Sequence, residues 1–359
     1  MSTFDIKNKL ILLLALMFLT SFSVYAEEAE EDRRRYRTLE ERRDAGKKHQ
    51  LTEWLEVSPL FELEYNKQRL IPLDALDNET SISETHKTLQ LEIIVDPAEW
   101  VNFEIVYEYD DLLDELILDE AVAEFEAGDF KFEVGRFTVP FGEYYSRFVT
   151  GPLLEFGETD ARSLVFAWEP DDELEAAVFI LKSRVEKTGE TDDSLDWGLS
   201  LNVSFTDDIV AGISYISDLS ESDEKLLDDV IFYQQPVDAM SAYINIEIGN
   251  YDISLEMVQA LDHFAELDVE SDRPGAWNIE FGIYPEGGFE YALRIEGSDE
   301  LEDEAELQAG LGVTWHLHEN VYLTVEYLKG KYKKGFVEND LEQVIDYQNQ
   351  FASQLVISF

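Results

Sequence analysis

From residue 56 onward, apolar and polar side chains alternate in segments of about ten residues, and clusters of Gly, Asp, Asn, Pro and Ser separate the segments. A period of two marks a strand with one face against an apolar phase and the other against a polar one. The segments begin near residues 56, 86, 100, 116, 129, 161, 172, 194, 208, 240, 250, 275, 288, 306, 320 and 350, which makes sixteen. In one of them Trp197, Leu199, Leu201, Val203 and Phe205 interleave with Asp196, Gly198, Ser200, Asn202 and Ser204. Trp277 to Ile283 and Val321 to Tyr327 repeat the scheme. Alternation alone fits a β-sandwich as well as a barrel.

Three features favour a transmembrane barrel. Links after even strands are tiny, as at Asp96-Pro97-Ala98-Glu99, Gly249-Asn250 and Pro285-Glu286-Gly287-Gly288, whereas those after odd strands are mostly long, near 66–85, 139–160, 218–239 and 330–349. Short periplasmic turns and long external loops have this asymmetry, with the link at 111–115 an exception. Aromatic residues on the apolar phase collect near strand ends, at Trp100, Tyr109, Trp168, Trp197, Tyr215, Tyr251, Trp277, Trp315 and Tyr327, as in two interfacial girdles. The chain also ends on an alternating strand closed by Phe359, which resembles the terminal recognition strand of bacterial outer-membrane proteins. The expected fold is all-β: a transmembrane antiparallel barrel of about sixteen strands. In the fourth segment Asp119 shares the apolar phase of Ile117, Ala121, Ala123 and Phe125, which puts one carboxylate on the lipid side near the outer rim.

The segment ahead of the barrel divides in two. Lys7 and Lys9 precede an apolar run from Leu10 to Leu19, and Val24-Tyr25-Ala26 supplies small-residue cleavage chemistry, so 1–26 reads as a secretory signal peptide. Residues 27–55 are dominated by charged side chains, 17 of 29, and read as a periplasmic arm or polar helix; 56–359 form the barrel. The arm is too short and too polar for a plug domain. With no run of 18 apolar residues after residue 26, a helical span is excluded. The expected location is the outer membrane of a Gram-negative bacterium.

Charge changes the picture inside the barrel. The 359-residue chain carries 79 acidic and 27 basic residues, a net charge of −52, and has no cysteine. Such a chain repels nucleic acid and forms neither disulfides nor thiolate metal sites. Residues 56–359 alone hold 69 acidic and 17 basic groups, so the arm does not cause the imbalance. A sixteen-stranded barrel is too wide for side chains to fill, which makes its interior aqueous. The inward phase would line it with Glu92, Glu104, Glu108, Asp196, Glu247, Glu256, Glu280, Glu290 and Glu326, joined by Glu62, Glu64, Asp252, Glu296 and Glu306. Lys131 and Arg294 are among the few cations on that phase. Carboxylate rings favour cations over anions. The competing use of the acid is in external loops, at Asp218, Glu221, Asp223, Glu224, Asp228 and Asp229, where calcium or magnesium would bridge it to lipopolysaccharide.

The connection between the fifth and sixth strands, Gly135 to Asp160, is long yet rich in Tyr, Phe, Leu and Pro. Pro140 and Gly142 turn the chain, and Phe148, Leu153, Leu154 and Phe156 need a surface to pack on. Folding inward against the barrel wall supplies one and makes this a constriction loop, with Glu143, Tyr144, Tyr145, Arg147, Glu155 and Glu158 at the narrowing; docking on the rim or on a neighbouring subunit is the alternative. Arg136, Arg147 and Arg162 would face the acidic walls. The loop and its GRF…PFG turn resemble the LbtU-type siderophore porin family of Gram-negative bacteria and, more distantly, the phosphate-selective porins. That resemblance implies a plugless sixteen-stranded barrel with ferric siderophore as a solute. Analogy with general porins implies a homotrimer.

Enzyme readings find little support. His316 and His318 have strand spacing beside Glu319, a conceivable divalent-metal pair, but two imidazoles at a turn are more often simply solvated. No Ser-His-Asp set, phosphate loop or zinc signature occurs, and neither catalytic residues nor a cofactor is expected. Two functions remain: a porin passing small solutes through an acidic, cation-preferring channel, and a non-conducting receptor or adhesin-like barrel whose acidic loops bind divalent ions or a partner.

Overall fold

The computed structural model describes residues 49–74, 79–110, 115–183, 195–219, 236–264, 273–285, 287–301, 304–318, 320–333 and 343–358. Residues 1–26, expected as a signal peptide, and residues 27–48 of the expected arm lie outside them. The strands are β1 (His49–Thr52), β2 (Leu55–Pro72), β3 (Thr80–Ala98), β4 (Val101–Asp110), β5 (Glu115–Ala127), β6 (Phe130–Thr138), β7 (Asp160–Asp171), β8 (Leu174–Ser183) and β9 (Asp196–Thr206). They continue as β10 (Ile209–Ile216), β11 (Ala239–Ile248), β12 (Tyr251–Ala260), β13 (Gly275–Ile283), β14 (Phe289–Asp299), β15 (Leu307–His318), β16 (Val321–Lys331) and β17 (Ile345–Ser358).

Every strand from β2 to β17 pairs antiparallel with the next, and β17 closes on β2, from Ser358 opposite Leu60 to Ile345 opposite Pro72. The ring has sixteen strands, and closure leaves no sheet edge unpaired, the condition for crossing a bilayer with strands. β1 is an addition to the ring. It folds back on the start of β2, with His49 opposite Val57, so the end of the segment expected as arm or helix is strand. Most strands start within two residues of their expected positions. β3 and β17 begin earlier, so the links after β2 and β16 shrink to 73–79 and 332–344.

Burial is inverted relative to a water-soluble protein. On β9, Trp197, Leu199 and Leu201 are exposed while Asp196, Gly198 and Ser200 are buried; on β12, Asp252, Ser254 and Glu256 are buried while Met257 is exposed. Trp100, Trp168, Trp277, Trp315 and Tyr327 are likewise exposed. A surface this apolar is stable only against lipid.

At Asp119 the structure corrects the expected phase. The β4–β5 register shifts between Val106 and Tyr107, which face Glu120 and Leu118, so Asp119 is the extra residue of a bulge. Beyond the bulge Leu116 and Leu118 take the exposed positions, and both Asp119 and Glu120 line the interior. One inserted residue flips the alternation and keeps the carboxylate out of the lipid.

Candidate functional site

The chain between β6 and β7, residues 139–159, lies inside the barrel. Its neck continues the strand pairing for one step, with Val139 N–H donating to the Thr159 carbonyl at 2.9 Å. Gly142, at φ +80°, then turns the chain onto the wall and donates its N–H to Ser214 Oγ of β10 at 2.9 Å. A Cβ there would lie 2.6 Å from the Tyr144 ring, so the turn requires glycine.

The seat beneath the loop is mixed. Phe141, Leu153, Leu154 and Phe156 pack with Val165, Phe179, Ile216, Val258 and small wall residues such as Ala161 and Ala177. Here β7 and β8 are apolar on both faces, lipid outside and loop inside. That signal was already in the consecutive run Ala176 to Leu181, which has no wet phase.

Further along the loop, polar contacts take over. An irregular backbone inside a barrel has amide N–H groups that need acceptors. Wall carboxylates supply them. Glu256 on β12 accepts the Glu143 N–H at 2.7 Å, Glu280 on β13 the Arg147 N–H at 2.9 Å and the Ser146 hydroxyl at 2.8 Å, and Glu296 on β14 the Leu153 N–H at 2.7 Å. Glu326 on β16 accepts from the amides of Val149 and Thr150 and from the Thr150 hydroxyl.

Arg294 is the cation under this layer. Its Nε lies 2.8 Å from Glu296, its Nη1 donates to the Thr150 carbonyl at 2.7 Å and sits 3.7 Å from Glu280, and its guanidinium covers the Phe148 ring at 4.4 Å. Arg147 is held in the same way. It pairs with Asp252, donates to the Tyr284 hydroxyl at 2.6 Å and stacks on Tyr145 at 4.2 Å.

These positions correct several pore-lining assignments. Glu256, Glu280, Arg294 and Glu326 are no more than 5% exposed, sealed between loop and wall. Arg147 and Tyr145 are equally buried: Arg147 does face the acidic wall, at Asp252 and Glu280, but beneath the loop and not at the open cavity. Arg136 and Arg162 share the outward phase of Val134 and Leu164. Asp196 is buried near the outer end of β9 and accepts the Ser217 hydroxyl at 3.2 Å. Glu290 meets His316 Nε2 at 2.6 Å. A bulge separates His316 from His318, and no group of three or more acidic or imidazole side chains is placed to hold a metal among the described residues. Glu108 and Glu247 remain half-buried on the inward phase of β4 and β11. Asp218 is fully buried and accepts the Val237 N–H at 3.2 Å, so it is no solvated loop acid; Glu221, Asp223, Glu224, Asp228, Asp229 and Glu319 lie outside the described residues.

On the opposite side of the loop a cavity of about 390 Å³ lies between it and the walls of β2 to β5. Glu64, Glu92, Glu104, Asp119 and Glu120 line it from the wall, and Glu143, Glu155 and Glu158 from the loop, with Asp160 at the start of β7. No lysine or arginine is among the described residues that line it. Glu64, Glu92, Glu104, Glu143, Tyr144, Glu155 and Glu158 were legible from phase and loop composition; Asp119 was not, because the bulge leaves no mark in the alternation, and Glu120, though on the inward phase, was not singled out. Burial, with Glu256, Glu158 and Glu155 nearby, pushes the Tyr144 phenol well above its ordinary pKa.

No family profile and no curated protein matches this sequence. Solved structures do. An anion-selective porin from Comamonas acidovorans superposes with a TM-score of 0.62 at 13% identity, covering 85% of this chain and 100% of that one. The outer-membrane channel DcaP of Acinetobacter baumannii gives 0.59 at 11%, covering 88% and 99%, and OmpF of Salmonella typhi, in complex with daunomycin, gives 0.58 at 10%, covering 85% and 98%. Identities this low speak to architecture alone: this chain has the fold of the outer-membrane porins, a closed sixteen-stranded transmembrane barrel.

Proposed function

We propose that the protein is an outer-membrane porin through which small solutes pass with a preference for cations. The observation that carries this reading is the cavity wall: nine carboxylates line it and no lysine or arginine among the described residues does. Fixed charge of one sign in a narrow, low-dielectric passage concentrates counter-ions and excludes co-ions. The acids sealed under the loop add little, since Arg294, Arg147 and backbone donors oppose them at contact distance. Ferric siderophore, the solute implied by the loop resemblance, suits this passage only as a complex without net negative charge. The test is a planar bilayer holding the purified mature chain under a salt gradient. Ohmic channels with a reversal potential of cation sign are expected; anion sign would overturn the preference, and absence of conductance would favour a surface receptor. Uptake of labelled ferric siderophore by cells with and without the protein tests that solute separately.

A further inference from the structure

Of the ten lysines and arginines on strands, only Lys131 on β6 and Arg294 on β14 point into the barrel. They differ in access. The Arg294 side chain is wholly sealed beneath the loop, whereas that of Lys131 is 29% exposed. Lys131 Nζ lies 2.8 Å from Glu124 Oε2 on β5 and 3.0 Å from Glu133 Oε1 on its own strand. The two carboxylates are directly opposite each other in the β5–β6 register, and Glu126 is directly opposite Lys131. Like charges opposite on a sheet repel, and the ammonium between them offsets that repulsion. Glu169 on β7 lies within electrostatic reach of Lys131, Glu124 and Glu133, so several acids share one cation.

The cluster stands at the short-turn end of the barrel, the periplasmic end. Lys131 is the first inward residue of β6 after the turn at 128–129. On β5, Glu120 lines the cavity beside the loop, while Glu124 and Glu126 line a second cavity of about 680 Å³ together with Glu53, Asp96 and Glu99. Only one inward position, Val122, separates Glu120 from Glu124, so the acidic lining runs on from one cavity to the next. Among the described residues no lysine or arginine lines the lower cavity; the Lys131 ammonium reaches its Glu124 from the neighbouring strand. A lysine suits exchange. Its ammonium is a hydrated point charge on a flexible stem, without the fixed fork of a guanidinium, and ion pairs with this much exposure are weak.

We propose, resting on the cation-conducting reading, that Glu124 and Glu133 form a site for small monovalent cations at the periplasmic exit, occupied at rest by the ammonium of Lys131 and taken over by each ion that passes. Passage requires a site attractive enough to enter and weak enough to leave. The tethered ammonium supplies the second condition: it competes for the same carboxylate oxygens and returns as the ion departs. Among the described residues no third acidic or imidazole group converges with this pair to hold a metal ion, which leaves the site to singly charged cations. Arg294, sealed and fixed by several partners, takes no part in such exchange.

The test has two arms. In planar bilayers, Lys131→Met should raise single-channel conductance at 0.1 M KCl by about twofold and make it level off toward 1 M, because the exit acids then hold potassium without a competitor. Lys131→Arg keeps the charge but locks the pair, and should lower conductance by about half; K329M, on the outward phase, should match the parent. In the second arm, acetylation of Lys131 in the detergent-purified mature chain is followed by peptide mass spectrometry. Its rate should rise about twofold between 0.05 and 0.5 M KCl, with ionic strength held constant by tetraethylammonium chloride, a cation too bulky to enter between the carboxylates. The labelling uses the parent chain and reads no current. Superimposable conductance curves for the parent and K131M, or a labelling rate that potassium leaves unchanged, overturn the exchange. A K131R channel that conducts as the parent reduces Lys131 to a fixed charge and overturns it as well. Anion sign or no current in the parent, with labelling that still responds to potassium, would overturn the conduction reading and leave the site standing.

Discussion

The two halves of the inner wall carry the same residue types on the same strand phase and use them in opposite ways. On β2 to β5, Glu64, Glu92, Glu104 and Glu120 face a cavity. On β12 to β16, Glu256, Glu280, Glu296 and Glu326 are buried beneath residues 143–153 and accept hydrogen bonds from the loop. The only difference is what lies in front of them. A carboxylate facing water shapes the field of a passage; one facing an irregular backbone becomes the acceptor that pins it. The buried acids outnumber their cations, and amide donors hold the remainder, an arrangement that costs stability if any partner is lost.

Removing the covering is the strongest way to break this contrast. Deletion of residues 143–158 should expose the second half of the wall and raise single-channel conductance by at least about twofold. Unchanged conductance in planar bilayers would mean that the loop does not narrow the passage. Next in size, Arg294→Met keeps the volume but strands Glu280 and Glu296, and should lower folding stability in detergent by about 3 to 5 kcal/mol, read as a fall in the urea midpoint. A midpoint within error of the parent would show that the buried charges are satisfied without it. Glu326→Gln should cost about 1 to 3 kcal/mol, because one carboxamide oxygen cannot replace two carboxylate oxygens for three donors. Smallest in stability, the open-half variant E92Q/E104Q/E120Q should stay within about 0.5 kcal/mol of the parent. It should nevertheless move the reversal potential toward zero, whereas E326Q should not. If both variants move it equally, the two halves are not distinct.

The barrel was legible because each strand is a local statement. Period two, turn residues and aromatic girdles act over about ten residues, and lipid on one side with water on the other enforces the phase. The loop's inward position was half legible: Phe148, Leu154 and Phe156 signalled a need for cover, and the doubly apolar run on β8 marked where it seats. The fates of individual carboxylates were not. Glu104 and Glu280 have the same alternating surroundings, yet one lines the cavity and the other is wholly buried, because the partner of Glu280 is more than a hundred residues away in the chain. The β5 bulge was equally hidden, since an extra residue reads as alternation until its neighbour strand fixes the register.

Sequence alone thus determined which face of most strands meets lipid and how strongly acidic the chain is, since both follow from composition and a period of two, with the β5 bulge the place where the period fails. Only the tertiary structure decided which acids face the passage, which anchor the loop and which share the inward cations, because those outcomes depend on the register between strands and on contacts that close around the ring.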